Sequence, residues 1–323
     1  MDNILTIRDL KVAFQVRGRD AYALDGINID IPKGKIVGIV GESGCGKSMT
    51  AMSIMGLIKS PGRIVGGSID FCGNELTKIG IREYANIRGK DISMIFQEPM
   101  TSLNPVVKVG KQVMESIILH EHISKTEAKQ RVIEIFNEVG IPEAEKRFNS
   151  YPHELSGGLR QRVMIGMAMI CKPKLLIADE PTTALDVTIE AQILRLMKRL
   201  CEESGTSIMM ITHNMGVIAE ICDYVYVMYA GRVVESAPTK ILFNETAHPY
   251  TSGLLKSIPT IGKKQKRLYT IKGNVPNILN LPEGCRFADR CDLTQNICCS
   301  DRPKDDYITD SHMVSCFLHK RIE

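Results

Sequence analysis

Between residues 4 and 40 the apolar positions alternate in the β manner: Ile4, Thr6 and Ile7, then Ile27, Ile29 and Ile31, then Ile36, Val37, Ile39 and Val40. Side chains two apart share one face of a strand, so this spacing predicts strands, and the unbroken run at 36–40 predicts a buried one. It ends at a glycine-rich turn, and residues 48–58 (SMTAMSIMGLI) follow as a helix whose methionines pack the core. Residues 107–140 read as helices, with a second start at Ser124 or Thr126 and Glu127 in its first turn. His120 and His122 are two apart, share no helical face and are taken as surface residues. Two more strand-like runs are LLIAD at 175–179 and SIMMIT at 207–212. Strands alternating with helices predict an α/β chain with a mainly parallel sheet. After residue 240 the periodicity fades and Pro249, Pro259, Pro276 and Pro282 break the chain. A boundary is placed there, dividing residues 1–240 from an extension at 241–323. No internal repeat is present.

Composition changes this picture little. With 44% hydrophobic and 24% charged residues over 323 positions, the chain has the profile of a globular protein able to bury a sizeable core. A formal charge of +4 argues against a dedicated nucleic-acid binder. The basic run Lys263 to Arg267 reads as a solvated linker. No stretch reaches the roughly 18 uninterrupted apolar residues that span a bilayer. Residues Met1 to Leu10 carry Asp2, Arg8 and Asp9 instead of an apolar signal core, so a cytosolic protein is expected, with any membrane role reached through partners. Five of the ten cysteines fall in residues 285–323. In a cytosolic chain such a cluster reads first as metal binding.

The densest chemistry lies at Gly41-Glu42-Ser43-Gly44-Cys45-Gly46-Lys47-Ser48, which fits G-x-x-x-x-G-K-[ST]. Phosphates need backbone N–H donors at close range, and side chains at Gly41, Gly44 and Gly46 would block that approach. Lys47 would reach the β- and γ-phosphates of ATP, Ser48 would ligate Mg2+, and the following helix would aim its N-terminus at the same anion. Cys45 is a small filler. LLIADE ends in Asp179 and Glu180 at the mouth of an apolar strand. There Asp179 can stand near the metal and Glu180 can polarise the attacking water.

A phosphate loop with an acidic strand allows kinases, GTPases and many motors. LSGGLRQR at 155–162 separates them. Taken with Gln97, Ala184-Leu185-Asp186 and His213, it resembles the ATP-binding cassette of ABC transporters over roughly residues 4–240. The resemblance implies a P-loop NTPase fold with a parallel-stranded core, an antiparallel β subdomain at its start and a helical subdomain near 88–165. It implies that Gln97 senses the γ-phosphate and Mg2+, and that Ser156, Gly157 and Gly158 meet ATP held by a second cassette in a head-to-tail dimer. Asp186 would line that dimer interface, and His213 would hydrogen-bond the γ-phosphate. Phe14 resembles the aromatic that stacks on adenine, with Tyr22 as competitor. Leu159 departs from the family pattern, which has glutamine there. The serine and glycine that contact phosphate are present, so binding is expected to survive.

FQEPMTSLNP at 96–105, APTKILFNETAHPYTSGLLKSIP at 237–259 and the late cysteines narrow the resemblance to the ATPase subunit of the dipeptide/oligopeptide/nickel importers. Cys285, Cys291, Cys298 and Cys316 match that family's C-terminal cysteine set, with Pro303 and His312 in place. Cys299 is an extra, and spacing to Pro303 favours Cys298. Four thiolates can hold zinc or an iron–sulfur cluster, and spacing alone leaves both open. The resemblance favours [4Fe–4S]. The implied activity is ATP hydrolysis coupled to import of di- or oligopeptides, with nickel or another solute as alternative. The implied partners are a second, similar cassette, two permease subunits and, indirectly, an extracytoplasmic solute-binding protein, with the chain peripheral on the cytoplasmic membrane face. Non-transport cassette ATPases usually carry two cassettes or a long coiled coil, and neither is present. Glu180 and His213 argue against a cassette that only binds ATP.

Overall fold

The computed structural model describes residues 2–97, 102–182, 186–258 and 269–321. The basic run at 263–267, Pro259 and parts of the 96–105 and 184–186 motifs lie outside them. Two compact units are formed, one from residues 1–4, 32–35 and 79–210, the other from 5–31, 36–78 and 211–323.

In the second unit, β1 (Asn3–Val16) and β2 (Arg19–Pro32) are joined by the two-residue turn Arg17-Gly18. Both turn residues have positive φ, which matches the twist of a tight antiparallel hairpin. With β4 (Gly62–Phe71) and β5 (Asn74–Glu75) they form an antiparallel sheet in the order β2-β1-β4-β5. Ile7 stands opposite Ile69 and Phe14 opposite Gly62. The alternation at Ile27, Ile29 and Ile31 is realised in full, since all three are completely buried.

The same unit carries β3 (Ile36–Val40), buried at every residue, parallel to β9 (Tyr224–Tyr229). Beyond β9 the sheet turns antiparallel, through β10 (Arg232–Pro238), β12 (His312–Val314) and the edge strand β11 (Asp306–Thr309). The core pair β3 and β9 is parallel as expected, and the antiparallel strands are added from β10 on. Only the residues 230–231 separate β9 from β10, and so short a connection cannot make a parallel crossover. β10 takes its neighbour β12 from residues beyond 240, and both belong to this unit. Glu235 on β10 is fully buried and accepts hydrogen bonds from the Ala247 and His248 amides and from His312 Nε2.

In the first unit β6 (Ile92–Ile95) runs parallel to β7 (Leu175–Asp179), with β8 (Ser207–Thr212) as the next strand. Between β6 and β7 the chain forms the helices Val109–His120, Lys125–Glu138, Ala144–Arg147 and Gly157–Met169. Val113, Ile117, Ala128, Val132 and Phe136 recur at helical spacing and are all buried. Ser124, not Thr126, starts the second of these helices, because its hydroxyl accepts from the Glu127 amide at 3.2 Å. The helix expected at 48–58 is shorter, Lys47–Ile54. It stops at Gly56, whose φ of 59° leaves the helical region. Among the described residues, no helix is long and apolar enough to cross a membrane.

Candidate functional site

In the second unit β3 feeds residues 41–48, and the helix Lys47–Ile54 leaves them. A Cβ at Gly41 would stand 2.2 Å from the Met228 carbonyl oxygen. Gly46 has φ 108°, and a Cβ there would come within 2.8 Å of Leu24. Packing admits only glycine at both positions. The Gly44 Cβ position faces open space, so glycine there answers to its φ of 79°. Lys47 is buried, and its Nζ donates to the carbonyls of Gly41 (2.7 Å) and Glu42 (3.0 Å). Ser43 and Ser48 are exposed. Cys45 is fully buried, and burial pushes its thiol up, which keeps it protonated. Phe14 and Tyr22 are both half-buried on the antiparallel sheet. His213 is exposed just past β8, ahead of Asn214, which caps the helix Met215–Ile221.

The first unit brings two of the expected residues into contact. Parallel strands β6 and β7 end side by side, so Gln97, just after β6, meets Glu180, just after β7. Gln97 Nε2 donates to Glu180 Oε2 at 2.9 Å. Asp179 is 4% exposed at the tip of β7. Glu180 then takes φ 47°, a left-handed conformation rare for a residue with a side chain. Such strain persists where the surroundings hold it, and it turns the Glu180 carboxylate off the strand toward Gln97.

Ser156 caps the 13-residue helix Gly157–Met169, its hydroxyl accepting from the Leu159 amide at 3.4 Å. Ser156 and Gly157 are exposed and Gly158 half-buried, so the first amides of this helix face outward with its positive dipole end. Asp186 is exposed and caps the helix Val187–Ser204, accepting from the Ile189 amide at 3.0 Å.

Cys285, Cys291, Cys298 and Cys316 line one small cavity with Pro249, Phe287 and Leu318. Cys298 is buried and belongs to this wall, whereas Cys299 is exposed and does not. Burial, with the neighbouring cysteines adding to it, pushes the Cys285 thiol up to about 11. Burial raises Cys291 and Cys316 as well. The donor chemistry suits a soft metal, and the apolar wall would keep water away. The spacing is less favourable, because no group of three or more His, Cys, Asp or Glu among the described residues is set to hold a metal ion. The expected iron–sulfur or zinc centre is thus matched in ligand type and not in ligand geometry.

Comparison with known proteins decides the family. The ABC transporter family matches residues 24–183, and the C-terminal region of oligopeptide/dipeptide transporters matches residues 234–298. The oligopeptide transport ATP-binding protein AppD of Bacillus subtilis is 50% identical over 99% of this chain and 98% of its own length. The chain belongs to the ATP-binding subunits of the oligopeptide ABC importers. The oligopeptide transport ATP-binding protein OppD of Escherichia coli is 48% identical over 98% of this chain and 93% of its own. Among solved structures, the dimeric ATP-binding cassette MJ0796 in a post-hydrolysis state, bound to ADP and Pi, matches with a TM-score of 0.66. It is 27% identical and covers 73% of this chain and 98% of that one. This importer ATPase therefore has the P-loop cassette fold and hydrolyses ATP.

The structure of the importer ATPase adds residues that sequence reasoning passed over. Gln161 is fully buried, and its Nε2 donates to the Pro181 carbonyl next to Glu180, tying the helix Gly157–Met169 to the turn after β7. Its position beside the buried Val163, Met164 and Ile165 was the available signal: a polar side chain inside an apolar stretch needs a partner. Tyr250 and Arg290 both reach Glu42 in the phosphate loop. Each lies over 200 positions from it in sequence, and nothing local marks the pairing.

Proposed function

We propose that this ATPase drives import of di- and oligopeptides through two permease subunits, working as one of two paired cassettes on the cytoplasmic face of the membrane. The observation that carries this reading is chain-long similarity to oligopeptide transport ATP-binding proteins, C-terminal region included. In the proposed chemistry Lys47 and the amides of residues 41–46 hold the phosphates of ATP, and Ser48 ligates Mg2+. Glu180, held by Gln97, polarises the attacking water, Asp179 stands on the metal side, and His213 bonds the γ-phosphate. Ser156, Gly157 and Gly158 complete the ATP site of the second cassette, so that ATP joins the pair and hydrolysis releases it. The 81% exposed Val187 beside Asp186 suits such an interface. Val106 (79% exposed) and Leu119 (72%) offer apolar surface to a permease.

In the extension, Cys285, Cys291, Cys298 and Cys316 would hold a resident metal centre, [4Fe–4S] first and zinc as the alternative. Support comes from four thiols on one apolar wall. Thiolate ligation would order the tail, and no step of hydrolysis uses it.

The test is reconstitution in liposomes with the cognate permeases and solute-binding protein. ATPase activity should rise on addition of di- or oligopeptide, with uptake following. Stimulation by nickel alone would move the cargo to the metal alternative. Uptake by this chain without permeases would overturn the assignment.

A further inference from the structure

A carboxylate inside a phosphate-binding loop is electrostatically misplaced, since the ligand is a polyanion. Glu42 is such a residue, and the structure gives it a dedicated partner. Arg290 Nη1 and Nη2 donate to its two carboxylate oxygens at 2.6 and 2.9 Å in a fork-to-fork pair. The Arg290 side chain is 5% exposed and that of Glu42 31%. Arg290 is fixed from the other side as well: Nε donates to the Lys272 carbonyl at 2.7 Å, and Nη1 is 3.3 Å from the Tyr229 hydroxyl. Its guanidinium also lies 5.7 Å from the centre of the Tyr229 ring. On the loop, the Glu42 amide donates to the Tyr250 hydroxyl at 2.9 Å, and its carbonyl accepts from Lys47. Every polar group of Glu42 is therefore engaged, and two of the engaging residues come from beyond position 240.

We infer that Arg290 is a positioning and charge-neutralising residue for ATP: it holds Glu42 aside and cancels its charge, so that the docked residue strengthens phosphate binding in the loop. Without the guanidinium, a half-exposed carboxylate remains beside the phosphate groups and repels them. One unit charge at several ångströms in a partly solvated site corresponds to roughly a tenfold loss of affinity. The inference rests on residues 41–48 holding the ATP phosphates. Lys47→Ala tests that premise separately, since loss of binding there is expected whether or not Arg290 matters.

The experiment measures ATP affinity of the full chain with a fluorescent ATP analogue, at low and high salt. Arg290→Ala should weaken binding about tenfold at low salt, and less at high salt, where charges are screened. Arg290→Lys keeps the charge and should stay within about threefold of the parent. The decisive variant is Glu42→Gln/Arg290→Ala, which removes the stranded charge and should regain most of the lost affinity. Limited proteolysis of the tail checks that each variant remains folded. Parent-like affinity in Arg290→Ala would overturn the inference. So would equal weakness of Arg290→Ala and the double variant, since Arg290 would then serve packing alone.

Discussion

One partly buried ion cluster contributes to docking of the extension, and removing its acid should loosen the tail measurably. Asp25 on β2 accepts from Arg232 at 2.9 and 3.2 Å and from Arg286, with Arg302 at 3.5 Å. Arg286 is the critical partner, its side chain 5% exposed, with its other nitrogen donating to the Ala230 carbonyl. Burial lowers the Arg286 pKa to about 10, which leaves it charged at neutral pH and in need of a counter-ion. In Asp25→Ala the guanidinium stays buried without one, at a cost of about 3–5 kcal/mol. Arg232 and Arg302 are 32% and 46% exposed and can turn to water, adding about 0–1 kcal/mol. For a unit of this size about 3–5 kcal/mol lowers Tm by roughly 6–20 °C. Differential scanning fluorimetry measures the shift, and trypsin susceptibility of the tail reports where unfolding begins.

Asp25→Ala/Arg286→Met should recover over half of the loss, because an apolar replacement leaves no stranded charge. A Tm for Asp25→Ala within about 2 °C of the parent would refute the reasoning. The pH dependence has a fixed sign. Burial raises the Asp25 pKa, but Arg232, Arg286 and Arg302 outweigh it, so the carboxyl ends below its ordinary value. Its contribution is complete above about pH 4 and is lost as pH falls through the lowered folded value.

Three further predictions concern the site. Glu180→Gln should retain ATP binding and cut turnover by roughly a hundredfold or more, with ATP then holding a dimer visible by size-exclusion chromatography; near-normal hydrolysis would remove Glu180 from the mechanism. Gln161→Leu should lower turnover about tenfold with ATP affinity unchanged, because the lost bond to Pro181 positions the Glu180 turn and not the phosphate loop; a change in affinity alone would place Gln161 elsewhere. Protein purified without oxygen should be brown, absorb near 400 nm and hold about four irons per chain, and Cys291→Ser should bleach it while ATP still binds; a colourless product with one zinc would replace the cluster, and one without metal would leave the four cysteines as a packed apolar wall.

Residue order alone determined the glycine-rich loop at 41–48, the LLIADE strand and the LSGGLRQR helix start. Each of these is a local pattern, in which a turn, a cap or a strand end fixes the chemistry of adjacent residues. The alternation at Ile27, Ile29 and Ile31 foretold a buried face for the same reason: a strand repeats every two residues whatever surrounds it. Tertiary structure alone decided what depends on contacts distant in sequence. It added antiparallel strands after β9, because the β9–β10 hairpin is too short to cross over. The choice of Cys298 over the adjacent Cys299 was also a packing decision, since α-helical neighbours point about 100° apart and only one can face the pocket. Most of all it wove residues beyond 240 into the unit that carries residues 41–48, bringing Arg286 to Asp25 and Arg290 to Glu42. Arginine side chains pair with whatever carboxylate the fold presents, and no periodicity in the chain encodes which one that will be.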